Sequence, residues 1–340
     1  NGSGSKVARS VTPGSTLQID IEMDSDGVLK FTNLPDGEGR EGVPPHPNDI
    51  ALVLHTSGTT SKPKRVPLKH RNIVASTVNI KDCYRLTPED VSLCIMPLFH
   101  VHGLVASVIT TFLAGGTVVV PPKFNPLRLW SVVYEFNVSW FSAVPTLYRA
   151  LLARSHGLSS GSAQHSPSMK FIRSCSAPLA AKMMMDIEES FGIPVLEAYG
   201  MTEAAHQMAS NPLPPALRKP GSVGCGTGVE IAIMDEEGGL LSVGQRGEVV
   251  IQGPNVIDGY EDNPEANASS FTNGWFRTGD EGSLNDDGYL TLTGRIKEQI
   301  NRSGEKISPQ EIDELLLAHP AVGEAVCFGA SHPTHGEEPE

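Results

Sequence analysis

From Ile50 to about residue 200 the chain alternates short, branched apolar runs with longer helix-compatible stretches. That is the pattern of an open α/β sheet whose strands are joined by helical crossovers. Strand-like runs fall at 50–54, 92–96, 117–120, 139–143, 170–174 and 194–197, and helices are expected from about Asn72, over Leu104–Leu113 and over Arg128–Phe136. From 220 to 295 the texture changes to short strands (229–234, 247–252, 289–293) separated by Gly-Gly, Asp-Gly and Asn-Gly turns, which predicts a compact β-rich subdomain. Past Arg295 come a hairpin-like segment and a capping box, Ser308-Pro309-Gln310-Glu311. Ile312, Leu315, Leu316 and His319 then follow at helical spacing, and a strand is expected over Val322–Phe328. This reads as the opening of a small α+β domain.

At 340 residues the chain can hold two or three domains. The organisation expected is 1–48 as a lead-in or the remnant of an N-terminal subdomain, 49–219 as an α/β subdomain, 220–296 as a β-rich one, and 297–340 as a truncated C-terminal domain. The lead-in is rich in Gly, Pro, Ser and acid, with one strand-like patch at Leu17–Ile21. Twenty-six Lys and Arg stand against 39 Asp and Glu, a formal charge of −13, which argues against nucleic acid as a partner. No apolar run reaches membrane-spanning length and no signal peptide is evident. The five cysteines lack Cys-x-x-Cys spacing, so free thiols in a reducing compartment are expected rather than a zinc site.

Chemistry concentrates first in Thr56-Ser57-Gly58-Thr59-Thr60-Ser61-Lys62-Pro63-Lys64-Arg65, directly after the first apolar run. Hydroxyls and glycine leaving a strand can wrap a polyphosphate, and Lys64 can neutralise its charge. No Gly-Lys-Ser/Thr closes the loop, so it is not a Walker A sequence. Gly224-x-Gly226-x-Gly228 lacks dinucleotide-fingerprint spacing and reads as turn chemistry. Four more segments follow in fixed order: Phe99-His100-Val101-His102-Gly103, Tyr199-Gly200-Met201-Thr202-Glu203, Phe276-Arg277-Thr278-Gly279-Asp280 and Gly294-Arg295-Ile296-Lys297.

Together these five segments resemble the acyl-adenylate-forming superfamily, which includes acyl-CoA synthetases, 4-coumarate–CoA ligases and luciferases. The resemblance runs from about Asp49 to Gly329 and implies a large adenylate-forming α/β domain followed by a small one. It implies ATP, Mg²⁺ and coenzyme A as cofactor and co-substrates. A carboxylate attacks the α-phosphorus of ATP, giving acyl-AMP and pyrophosphate, and a thiol then displaces AMP. The nucleophile belongs to the substrate, so catalysis rests on positioning and charge stabilisation. By that resemblance Thr56, Ser57, Gly58, Thr59, Thr60 and Lys64 hold the β- and γ-phosphates; Arg65, where the family often has glycine, is expected to point to solvent. Ala177, Glu197, Ala198 and Tyr199 border the purine. Thr202 donates to the α-phosphate, Glu203 holds Mg²⁺, and Asp280 with Arg295 receives the ribose. Lys297 marks a hinge, and Ser303, Gly304 and Glu305 belong to the channel for coenzyme A. The family's C-terminal adenylation lysine has no counterpart in these residues, so the chain as given is expected to adenylate poorly.

A finer resemblance is to the oxalate–CoA ligases, carried by Ala204-Ala205-His206-Gln207-Met208, Cys175-Ser176 and Asn301-Arg302 with Gly304-Glu305-Lys306-Ile307-Ser308-Pro309. It implies an acid pocket of His100, Ser176 and His206. Oxalate keeps a second carboxylate after activation, and burying that anion requires donors or a cation. A fatty or hydroxycinnamic acid would leave a buried imidazole facing carbon, at about 1–3 kcal/mol. His100-x-His102 also has the look of a metal pair on one strand face, without an evident third ligand. The alternatives are a short- or medium-chain acyl-CoA or 4-coumarate-type ligase, a nucleotide-binding fragment without turnover, and a carrier-loading domain. The compartment expected is cytoplasmic, with the peroxisome as alternative.

Overall fold

A computed structural model describes residues 20–23, 29–32, 43–56, 63–155, 167–317, 319, 321–322 and 325–340. Residues 1–45 and 46–340 form separate units. In the first, β1 (Asp20–Met23) pairs antiparallel with β2 (Leu29–Thr32). The strand patch expected at Leu17–Ile21 overlaps β1 at Asp20 and Ile21, and its first three residues lie outside the described set.

The second unit opens with a hairpin, β3 (Ile50–Thr56) against β4 (Lys64–Lys69), which feeds helix α1 (His70–Cys83). The central sheet has seven strands: β5 (Val91–Cys94), β6 (Thr117–Val119), β7 (Trp140–Ala143), β8 (Phe171–Ser174), β9 (Val195–Met201), β10 (His206–Ser210) and β11 (Cys225–Gly226). Their spatial order is β11-β10-β9-β8-β7-β5-β6, parallel from β6 to β9 and antiparallel beyond. The last strand of this sheet therefore comes from beyond residue 219.

Both faces of the parallel strands are covered, which is why they read as near-continuous apolar runs. On one face Phe141, Ile172 and Val195 pack against Leu129 and Val133, Tyr148 and Leu151, and Met184 and Ile187. These come from α3 (Leu129–Glu135), α4 (Pro145–Ser155) and α5 (Ala181–Phe191), α2 being the short turn Thr110–Leu113. On the other face Trp140, Phe171 and Leu196 meet Ile80, Tyr84 and Ala106. The helix expected over Leu104–Leu113 is a π-helix, His102–Ile109, that tightens into α2. Gly103 lets it form: a Cβ there would lie 2.4 Å from the Pro97 carbonyl oxygen.

The β-rich stretch forms a five-stranded sheet from β12 (Glu230–Met234), β13 (Gly247–Gln252), β14 (Phe271–Thr272), β15 (Trp275–Leu284) and β16 (Leu290–Arg295). Helix α6 (Pro264–Ser270) precedes β14. Its core is shared with β4, the π-helix and β10, through Val66, Leu68, Val105, Met208, Val249 and Ile251. Last come β17 (Ile300–Arg302), β18 (Glu305–Ile307), helix α7 (Pro309–Leu317), β19 (Gly329–His332) and β20 (Gly336–Pro339). Ser308 caps α7, its Oγ accepting from Glu311 N at 3.4 Å. The strand expected over Val322–Phe328 is not formed in its described residues. Cys327 N donates to the Asp313 carboxylate at 2.6 Å instead of to a ladder, and Val326 and Phe328 are 78% and 56% exposed. Without a covered face, apolar content alone does not make a strand. No helix among the described residues is long and apolar enough to cross a membrane.

Candidate active site

Ser142, Ser176, Thr202 and Glu203 lie at or just past the carboxyl ends of β7, β8 and β9, where open α/β sheets bind ligands. Thr56 and Lys64 face each other across the open end of the β3–β4 hairpin. Ser57, Gly58, Thr59 and Thr60 lie outside the described residues. Lys64 Nζ stands 4.4 Å above the ring of Tyr260. The Tyr260 hydroxyl donates to Glu203 Oε1 at 2.8 Å. Glu203 is 6% exposed, and its Oε2 accepts from no described residue, leaving a hard oxygen of the type magnesium takes. Arg65 does not run out to solvent alone. It pairs with Glu261 at 2.9 Å and Asp262 at 3.3 Å, tying the start of β4 to the loop that carries Tyr260.

A second group joins the two sheets. The Tyr199 hydroxyl donates to Asp280 Oδ2, and Arg295, opposite Asp280 in the β15–β16 register, reaches Oδ1 at 3.4 Å. Burial raises the Asp280 carboxyl above its ordinary value, opposed by the Tyr199 hydrogen bond and the Arg295 charge. Thr202 is half-buried in the 3₁₀ turn Thr202–Ala204, and Ala198 is buried on β9. Glu197 accepts from Leu179 N at 3.1 Å, so its side chain anchors the loop that presents Ser176 and Ala177, both exposed.

The third group was only partly visible in the sequence. His100 is exposed, against Phe99 with ring centroids 4.6 Å apart. The buried histidine is His102, whose Nδ1 meets Ser176 Oγ at 2.9 Å and whose Nε2 meets Ser142 Oγ at 2.6 Å. With both nitrogens so engaged, His100 and His102 do not form a metal pair. The His102 ring stacks on that of His206 at 5.1 Å and 23°. Between them and the sheet lies Arg173, 0% exposed on the central strand β8. Its guanidinium donates to Ser142 Oγ at 3.0 Å, His206 Nε2 at 3.0 Å, Gln207 Oε1 at 2.9 Å and the Tyr84 hydroxyl at 2.8 Å. Every one of these partners is neutral, and no carboxylate pairs with Arg173 among the described residues. Burial first, then the Arg173 charge, holds both His102 and His206 well below the ordinary imidazole range. Both rings are therefore neutral. A charged residue inside the apolar run Phe171-Ile172-Arg173 was the available sequence signal, since arginine is almost never fully buried without a purpose.

A family model described as AMP-binding enzyme matches residues 4–261. The chain belongs to that family. It is 50% identical over 328 residues to an oxalate–CoA ligase of Arabidopsis thaliana, covering 96% of this chain and 62% of that protein. It is 51% identical over 292 residues to an oxalate–CoA ligase of Saccharomyces cerevisiae, covering 85% and 53%. Its fold matches the crystal structure of ATP-bound MatB from Rhodopseudomonas palustris with a TM-score of 0.81 at 32% identity, over 94% of this chain and 63% of that one. The chain thus spans between half and two thirds of the length of the relatives it matches.

The segment after the second sheet is a tight hairpin. Ser303 and Gly304 join β17 to β18 with φ of +54° and +92°, both positive as a two-residue type I′ turn requires. Ser303 adopts the left-handed conformation that glycine would take more easily, and its Oγ meets His335 Nδ1 at 2.8 Å. Glu305 is exposed at the start of β18, and Lys297 is exposed in the 3₁₀ turn Ile296–Glu298. Neither makes a hydrogen bond or ion pair with the Arg173 cluster.

Proposed function

We propose that this chain carries the nucleotide- and acid-selecting part of an ATP-dependent, AMP-forming acid–thiol ligase, and that its acid is a small dicarboxylate, oxalate. The observation that carries the acid assignment is Arg173, a fully buried guanidinium with no carboxylate partner among the described residues, set behind His102, His206 and Ser176. A buried unpaired charge costs several kcal/mol unless something compensates it. A substrate that keeps a free carboxylate supplies that compensation; a hydrocarbon tail does not. The similarity to oxalate–CoA ligases over most of the chain supports the same reading.

Each step then has its residues. The substrate carboxylate attacks the α-phosphorus of ATP and pyrophosphate leaves. Lys64 draws charge from the departing phosphates, and the Thr202 hydroxyl donates to the α-phosphate where charge develops. Glu203 would hold Mg²⁺, which when bound neutralises phosphate charge; Tyr260 fixes the carboxylate that receives it. Asp280, oriented by Tyr199 and Arg295, accepts from the ribose hydroxyls. Ala177, with the backbone near Glu197 and Ala198, borders the purine. The thiol of coenzyme A then displaces AMP, approaching past Ser303, Gly304 and Glu305, with Lys297 at the hinge between the two halves of the cycle. His206 and Ser176 face the acid, and His100 stands at the rim rather than in the pocket. The unpaired cysteines support a reducing compartment, the cytoplasm first.

The test is ATP- and Mg²⁺-dependent pyrophosphate release by the full-length protein with oxalate, acetate, hexanoate and 4-coumarate. Turnover with oxalate, lost selectively in His206→Ala, is expected; preference for 4-coumarate or hexanoate would refute the acid assignment and leave the adenylation chemistry standing.

A further inference from the structure

The hydrogen bonds of the buried cluster set the arrangement of its protons. Arg173 can only donate, so His206 Nε2, 3.0 Å from its guanidinium, must accept. Neutral His206 then carries its proton on Nδ1, for which no described residue is a partner. The second branch runs through Ser142. Its Oγ accepts from Arg173 at 3.0 Å and touches His102 Nε2 at 2.6 Å. Ser142 is fully buried, and its hydroxyl proton has no other acceptor among the described residues, so it points at His102 Nε2. Neutral His102 therefore also bears its proton on Nδ1 and donates to Ser176 Oγ at 2.9 Å. That leaves the Ser176 hydroxyl proton directed away from the cluster, on an exposed residue with φ of +72° just past the end of β8.

We infer that Arg173 is a positioning residue that sets both histidines in their Nδ1–H form, so that Ser176 O–H and His206 Nδ1–H meet the acid as two donors with a buried positive charge behind them. This rests on the reading of the pocket as the acid site, and it specifies how that site tells a second carboxylate from other groups. A site that turns two N–H or O–H donors to the ligand favours an anion over an amide N–H₂ or a hydroxyl, for which only the second lone pair of Ser176 Oγ is left as acceptor. Oxamate, which matches oxalate in shape with one carboxylate replaced by an amide, is the discriminating probe. Hydrogen bonds to charged groups are the strong ones, so oxalate is preferred in kcat/KM by about 10- to 100-fold.

The experiment has two arms on the full-length protein. In the first, [¹⁵N]histidine NMR without substrate reads the tautomers of His102 and His206. Nδ1–H is expected at both, and His206 is expected to lose that preference in Arg173→Met; Nε2–H at either residue in the wild type overturns the relay. In the second, oxalate and oxamate are compared in the wild type, in Arg173→Met and in Ser142→Ala, the last cutting only the His102 branch and covering the case in which the first variant fails to fold. The preference for oxalate should fall about 10-fold or more through the KM for oxalate, with the KM for ATP unchanged. A preference that survives in Ser142→Ala overturns the claim for that branch, and one that survives in Arg173→Met overturns it for both. Correct tautomers in an enzyme that turns over another acid but not oxalate would support the relay and refute the oxalate assignment alone.

Discussion

Replacing Glu197 by glutamine should make the protein resist denaturation better as pH rises. Glu197 is 4% exposed on β9, with Oε1 accepting from Leu179 N and Oε2 buried without a partner. Burial, with Glu314 adding to it, raises its carboxyl from an ordinary 4.5 to about 8, against the pull of the Leu179 hydrogen bond. The folded chain therefore keeps a proton that the unfolded chain releases. The stability held by that proton is fully present below pH 4.5 and is lost as pH rises through about 8. At about 1.4 kcal/mol per pH unit the whole interval is worth about 5 kcal/mol, of which about 4 kcal/mol falls between pH 5 and pH 8. Glutamine keeps the acceptor for Leu179 and cannot titrate; its buried amide N–H₂ costs about 1–3 kcal/mol independently of pH. The difference between the two proteins isolates the carboxyl. Urea denaturation at pH 5, 6, 7 and 8 should show the variant gaining on the wild type at every step. A difference that stays constant within about 0.5 kcal/mol over that range would show that Glu197 is ionised in the fold and refute the reasoning.

Two further outcomes follow from the same geometry. Tyr260→Phe removes the hydroxyl that holds Glu203 at 2.8 Å, a charged hydrogen bond worth about 1.5–3 kcal/mol. The Mg²⁺ concentration for half-maximal pyrophosphate release should rise at least about 10-fold, with the KM for the acid unchanged; an unaltered Mg²⁺ dependence would separate Tyr260 from the metal. Gly103→Ala forces a methyl to within 2.4 Å of the Pro97 carbonyl oxygen, so the π-helix must shift at a cost of about 1–3 kcal/mol. A lower thermal midpoint together with reduced oxalate turnover is expected, and wild-type values for both would show that the turn ahead of His102 can give way.

The central sheet was legible because its strands are buried on both faces and are short, branched and bounded by turns. Of the six apolar runs picked from the sequence, five overlap strands of this sheet and the first overlaps β3 of the hairpin. Hairpin strand β4 was not legible: Lys64-Arg65-Val66-Pro67-Leu68-Lys69 alternates, but its proline and charges hide a strand that pairs with β3 and, through a single bridge at Arg65, with Glu261. Strand β10, His206–Ser210, was hidden for the opposite reason, since it carries polar residues at positions that the fold buries completely. Among the site residues, Tyr199, Asp280 and Arg295 were named from order along the chain and meet across two sheets. Tyr260 was missed because nothing local distinguishes it; its role exists only through the approach of Glu203 and Lys64 from other elements.

By itself the sequence determined which chemistry is available: a hydroxyl-rich loop ahead of a lysine, a carboxylate after Tyr-Gly-Met-Thr, and polar residues set into an apolar sheet. Those follow from local composition and spacing, which no fold can alter. Which histidine of His100-Val101-His102 is buried beside Arg173 and His206 was decided by tertiary structure alone. The two are alike in chemistry, and only the start of a π-helix under the sheet buries one while leaving the other outside. The direction of the protons was decided at the same level. A tautomer is set by the partner across the gap: for His206 a guanidinium on another strand, which can only donate, and for His102 the Ser142 hydroxyl that the same guanidinium engages.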